Sequence, residues 1–74
     1  MPRKITIHGE ERLRQRGITR EDVESALNRP HRVKPGQLGS KWVYGYDTEG
    51  RILKVCISTN DENTVITAAR PDSN

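Results

Sequence analysis

Cysteine occurs once in this chain of 74 residues, phenylalanine not at all, and no apolar run approaches the length of a membrane span. The single thiol, Cys56, excludes an internal disulfide. Set within an apolar run, it reads as a small, partly buried residue. A helical membrane span needs about 18 consecutive apolar residues. Neither that nor a signal-peptide pattern is present, so the expected location is the cytoplasm, with no membrane partner. His8, His31 and Cys56 lack close ligand spacing and a fourth partner, so no metal site is expected. The chain also has no Walker loop, GxGxxG, GxSxG or HExxH. Nucleotide-driven, α/β-hydrolase and zincin chemistries therefore have no support, and no cofactor is expected.

Apolar residues are scarce too, at 31%. A chain this short buries only about 60% of its unfolded surface. A single domain over residues 1–74 with a thin core is the expectation, every large aliphatic side chain belonging to that core. The ordered part is expected over about 4–70, with a polar tail at 71–74.

What is abundant is charge, also 31%, with a net +3 and a pI near 9.4. The mild basic excess suits a phosphate-rich partner or an acidic protein. Basic residues concentrate in residues 1–20 and 29–54, while acids gather in the second helical segment and near residue 60.

Lys4–Ile7 reads as a short strand. Gly9–Arg16 is rich in helix formers with Leu13 its one large apolar residue, and Gly17 suits the left-handed position that closes a helix. A second helix restarts at Thr19. Thr19 and Asp22 make a capping box, Ile18 and Val23 a hydrophobic staple, and Val23, Ala26 and Leu27 a buried stripe. Asn28-Arg29-Pro30 stops it. A basic connector follows, with a brief strand at Arg32–Lys34, then strands at Lys41–Tyr46, Arg51–Thr59 and Thr64–Arg70. Together these predict an α+β domain with two N-terminal helices on one face of a three- to four-stranded antiparallel sheet.

The register of the central hairpin follows from its turn. Asp47-Thr48-Glu49-Gly50 suits a type I turn with a glycine bulge. It pairs Tyr46 with Ile52, Tyr44 with Lys54 and Trp42 with Cys56. Val43, Gly45, Leu53, Val55 and Ile57 then share the helix-covered face. Trp42, Tyr44, Tyr46, Ile52, Lys54, Cys56 and Ser58 share the other. The same alternation places Ile66 and Ala68 on the covered face and Thr67 on the aromatic one.

Two groups of residues invite a functional reading. His8, Arg12 and Arg16 recur every fourth residue, so a continuous helix sets them on one face, where like charges repel and an anion is the natural counterpart. A solvated basic face, with Glu10, Glu11 and Glu24 nearby as salt-bridge partners, is the more ordinary account of them. A histidine titrates near neutral pH, so His8 suits acid–base work as well as helix capping. The Trp42/Tyr44/Tyr46 stripe with Lys54 and Arg51 suits base stacking with phosphate contacts, or a protein-binding patch. His31 looks like a surface residue. Arg70, closing the last strand, is placed to reach toward the first helix.

His8-x3-Arg12-x3-Arg16-Gly17-Ile18, then Glu21-Asp22-Val23-x3-Leu27-x2-Pro30 and a late Val65-Ile66-Thr67 strand, resembles domain-of-unknown-function family 4258 of small bacterial proteins, over residues 5 to about 70. That family is similar in fold to RelE- and BrnT-type toxins, and Ile66–Arg70 is similar to the late strand of BrnT-like toxins, which also ends in arginine. The resemblance implies a metal-independent endoribonuclease of a toxin–antitoxin system, with RNA as substrate and an acidic antitoxin as partner. Carried over, His8, Arg16 and Arg70 take the catalytic places. Arg12, Tyr44, Lys54, Trp42 and Thr67 take the substrate-binding ones. A non-catalytic protein-interaction module and RNA binding without cleavage are the other two expectations.

Overall fold

Two threonines determine where the helices begin. In the computed structural model, which describes residues 4–61 and 63–71, Thr6 caps α1 (Ile7–Gln15) by accepting the Gly9 N–H at 3.0 Å. Thr19 caps α2 (Arg20–Asn28) through the expected capping box. The Asp22 N–H donates to the Thr19 hydroxyl at 3.1 Å, and the Thr19 N–H to the Asp22 carboxylate at 3.2 Å. Ile18 and Val23 are both buried, as the staple requires. Gly17 ends the first helical segment at φ +68°, a conformation that costs glycine little.

Five strands, β1 (Lys4–Ile5), β2 (Pro30–Pro35), β3 (Ser40–Tyr46), β4 (Ile52–Ser58) and β5 (Thr64–Ala69), form one sheet in the order β1-β5-β4-β3-β2. The architecture is α+β, but the sheet is mixed rather than purely antiparallel. Strands β2 to β5 form an antiparallel meander, and β1 adds to β5 in parallel, with Thr6 N–H donating to the Val65 carbonyl at 3.0 Å. The lead-in strand is shorter than expected. Because Thr6 caps, Ile7 becomes the first residue of α1 and stands 86% exposed.

The central hairpin has the expected register, Tyr46 opposite Ile52, Tyr44 opposite Lys54 and Trp42 opposite Cys56. Its turn closes through Asp47 N–H to the Arg51 carbonyl at 2.8 Å, with Gly50 at φ +81°. Val43, Leu53, Val55, Ile57, Val65 and Ala68 form the sheet side of the core, and Leu13, Ile18, Val23 and Ala26 the helical side. Helix α2 lies so close to β3 that a Cβ on Gly45 would overlap the Ala26 carbonyl. Glycine is required there by the contact, not by a turn.

Two expectations about the core are corrected. Ile66 is not covered. A bulge pairs Cys56 with Thr67 but Ile57 with Val65, so Val65 takes the inward place and Ile66 is expelled to 36% exposure. Nor do all large aliphatics enter the core: Ile7, Val33, Leu38, Ile52 and Ile66 are exposed. Val33 lies on the outermost strand, where every residue is exposed. Leu38 sits at the tip of the β2–β3 connection with φ +51°, a conformation uncommon for a non-glycine residue. Of the tail expected at 71–74, all but Pro71 lies outside the described residues. No helix among the described residues is long and apolar enough to cross a membrane.

Candidate nucleic-acid interface

The basic face of the first helix divides into a structural part and an exposed part. Arg16 occupies the C-cap position of α1, and its guanidinium donates to the Ala68 carbonyl at 2.8 Å. With Thr6 Oγ1 donating to the Ile66 carbonyl at 3.2 Å, it satisfies carbonyls of β5 beyond the reach of β1. An edge strand left open there would be a template for aggregation. His8 and Arg12 are exposed, and neither side chain makes a hydrogen bond or ion pair among the described residues. His8 lies eight residues before Arg16, roughly 12 Å along a helical axis at 1.5 Å per residue.

Arg70 does not turn toward the first helix. Its guanidinium donates to Asp47 at 2.7 Å, and Asp47 is fully buried. The other Asp47 oxygen accepts the Glu49 and Arg51 N–H groups at 2.8 and 2.9 Å. Burial pushes this carboxyl up. The Arg51 N–H, the Arg70 guanidinium and the Glu49 N–H outweigh it, so the group stays charged below the usual carboxylate range. Arg51, expected beside the aromatic stripe, pairs instead with Glu49 and approaches Asp47 at 3.7 Å. A second buried acid, Asp22, ties the same turn to α2 by accepting the Thr48 hydroxyl at 2.7 Å and the Thr48 N–H at 3.1 Å. Among the described residues no group of three or more His, Cys, Asp or Glu side chains could hold a metal ion.

The face opposite the helices is different in kind. Strict alternation along β3 and β4 turns Trp42, Tyr44, Tyr46 and Lys54 away from the core, each half-buried among its neighbours. Strand β2 adds Arg32 opposite Tyr44 and Lys34 opposite Trp42. The Asp47–Arg51 backbone bond sets the phase of the β3–β4 ladder, placing the Tyr44–Lys54 and Trp42–Cys56 pairs at non-hydrogen-bonded positions, where facing side chains come closest. The lysines lie diagonally. Lys54, opposite Tyr44, holds its Nζ 4.8 Å from the Trp42 ring centroid, and Lys34, opposite Trp42, holds its Nζ 5.5 Å from that of Tyr44. At the other end, the bulge between Pro30 and Arg32 lets His31 stack on Tyr46, 5.2 Å between centroids, with the Arg29 guanidinium 5.9 Å from the same ring. No Asp or Glu occupies a described position of this face.

Of the residues predicted for substrate binding, Trp42, Tyr44, Lys54 and Thr67 therefore share this face, and Arg12 does not. Thr67 lies opposite Cys56, its hydroxyl buried without a hydrogen-bond partner among the described residues. Those predicted as catalytic, His8, Arg16 and Arg70, are positioned by α1 and the end of β5 and are not gathered around the aromatic stripe. Sequence reasoning missed Arg29, His31, Arg32 and Lys34 as part of it. The signal was the Arg32-x-Lys34 alternation in a segment expected to be a strand.

The model of the family described as Domain of unknown function (DUF4258) matches residues 5–70. No curated protein and no solved structure matches the chain.

Proposed function

We propose that this chain, which belongs to the DUF4258 family, is an RNA-binding module that holds its ligand across the open face of the sheet. The observation that carries this reading is the composition of that face: three aromatic rings in line, cations lying over each of them, and no described carboxylate among them. Aromatic rings supply stacking surfaces for bases, and Lys and Arg meet the phosphates between them. The test is binding of an unstructured fluorescent RNA by Lys34→Glu/Lys54→Glu beside the unaltered protein. Loss of binding with an unchanged circular dichroism spectrum is the expected result, and undiminished binding refutes the reading.

A second reading adds catalysis. The RelE/BrnT likeness would make the chain a toxin-type, metal-independent endoribonuclease with an acidic antitoxin as partner. What favours it is that the His8 and Arg12 side chains are exposed and make no bond among the described residues, so both remain available to a phosphate. Here His8 would serve as the acid–base group for attack of a 2′-hydroxyl on phosphorus. Induced expression should then fragment cellular RNA and arrest growth, and His8→Ala should abolish both. Intact RNA under induction leaves binding without cleavage.

A further inference from the structure

Resting on the RNA-binding reading, we infer that the open face takes unpaired RNA, one base per aromatic ring, and that Lys34 and Lys54 leave their rings for phosphates when the bases arrive.

The spacing of the rings carries the first part. Trp42, Tyr44 and Tyr46 are alternate residues of one strand, so neighbouring rings stand roughly 6.6 Å apart at about 3.3 Å per residue. Stacked bases rise only about 3.4 Å. A base on each ring must therefore be separated from its neighbour by about twice the stacking distance, a spacing open to a splayed strand and closed to a duplex. A duplex also offers base edges in its grooves, whereas rings lying on a sheet engage base faces, which pairing and stacking conceal. Unpaired loops and ends are where RNA exposes those faces; the choice of RNA over DNA is carried over from the RNA-binding reading on which the inference rests.

The diagonal lysines carry the second part. Each Nζ lies over the ring a base would cover, 4.8 Å from Trp42 for Lys54 and 5.5 Å from Tyr44 for Lys34. An exposed cation–π contact is worth about a two- to five-fold factor, and base stacking about five- to a hundred-and-fifty-fold. The base therefore displaces the ammonium. The displaced group sits on a flexible stem beside the strand and meets the phosphate that follows the base. In the free protein the lysines act as place-holders over Trp42 and Tyr44, while His31 and Arg29 cover Tyr46, so that none of the three rings is left as a bare apolar surface.

Past Trp42 the face deepens into a recess lined by Pro35, Gly36, Gln37, Ser40, Trp42 and Cys56. The Ser40 hydroxyl donates to the Gln37 carbonyl at 2.7 Å, which leaves its oxygen able to accept. The Gln37 side-chain amide carries both donors and an acceptor. The base on Trp42 is thus the one whose edge the chain can read.

The experiment uses the full chain and its only tryptophan, Trp42, whose fluorescence reports stacking directly. Four probes of equal length are titrated: an unstructured RNA, its duplex, the same RNA with the bases removed at alternate positions, and a DNA of the same sequence. The unstructured RNA should quench Trp42 and bind at least ten-fold tighter than each of the others. Lys54→Met should flatten the salt dependence, log K against log salt, by about 0.7 while keeping the preference for single strands. Equal affinity for duplex and single strand, or for base-free and base-bearing RNA, overturns the one-base-per-ring inference while leaving RNA binding in place. Equal affinity for DNA overturns the choice of RNA. An unchanged salt slope in Lys54→Met overturns the lysine exchange. Failure of every probe to bind overturns the RNA-binding reading itself.

Discussion

Replacing Asp22 by Asn should cost this protein about 2 kcal/mol at neutral pH and almost nothing near pH 2. Asp22 is 6% exposed, and its carboxylate accepts from the Thr48 hydroxyl, the Thr48 N–H and the Thr19 N–H. Burial alone would raise its pKa. The bonds from Thr48 and Thr19 outweigh burial and hold it down to about 2, from 3.8. At about 1.4 kcal/mol per pH unit, that difference stabilises the folded state by about 2 kcal/mol. The folded value lies below the unfolded one, so the contribution is complete well above pH 3.8 and disappears as pH falls through about 2. Asn keeps the volume and one acceptor for Thr48, and its NH2, like the O–H of a protonated carboxyl, cannot accept from Thr19, so the change reproduces protonation of Asp22. A domain of this length has roughly 4–11 kcal/mol in total at about 0.05–0.15 kcal/mol per residue, so the loss is a sizeable share. Urea unfolding followed by Trp42 fluorescence, with a slope on the order of 1 kcal/mol/M, should show the midpoint falling by about 2 M at pH 7. The gap should close as pH approaches 2. A gap that persists unchanged into acid, or one smaller than about 0.5 kcal/mol at pH 7, refutes the assignment.

Arg70→Met strands the buried Asp47 carboxylate and should cost about 3–5 kcal/mol in thermal or urea unfolding. Adding Asp47→Asn should recover part of that loss, and additive losses would contradict a direct pair. Gly45→Ala forces a Cβ into the Ala26 carbonyl. It should cost about 1–3 kcal/mol or more, lowering Tm by roughly 4–8 °C per kcal/mol, as calorimetry would register. RNA affinity should fall with salt, log K against log salt having a slope of roughly −2 to −3 if three to four of Arg29, Arg32, Lys34 and Lys54 meet phosphates. A flat response excludes phosphate contacts.

What could be read in advance was local. Thr19, Asp22, Ile18 and Val23 lie within five residues of one another, so capping and staple rules apply without knowledge of the fold, and the structure has both. The β3–β4 register depended only on the four residues of its turn. The failures needed distant information. The parallel pairing of β1 joins residues sixty apart through a two-residue strand, too short for any periodicity. The bulge opposite Cys56 adds one residue to β5, and a single insertion reverses the alternation on which the placement of Ile66 rested. Arg70 finds its acid 23 residues back, in a turn whose aspartate already had a sufficient local role. His31 and Lys34 belonged to a segment read mostly as a connector, so their rings and charges were not assigned to a face.

The energies of these contacts separate the basic residues into those committed to the fold and those open to a ligand. Arg70 neutralises a fully buried carboxylate, and withdrawing it to serve a phosphate would leave that charge stranded at a cost of about 3–5 kcal/mol. Arg16 satisfies a β5 carbonyl, which leaving would expose at an edge. An anion at either position must compete with an interaction the fold needs. Lys34 and Lys54 rest on aromatic rings at about 0.5–1 kcal/mol each, less than a single base–ring stack of about 1–3 kcal/mol. A ligand that covers the ring therefore gains more than the lysine loses, and the lysine keeps its charge for the phosphate. By this measure the availability of a cation depends less on its exposure than on what it must leave behind. It favours the sheet face for the proposed interface, while on α1 His8 and Arg12 are among the side chains an RNA could recruit without unfolding anything.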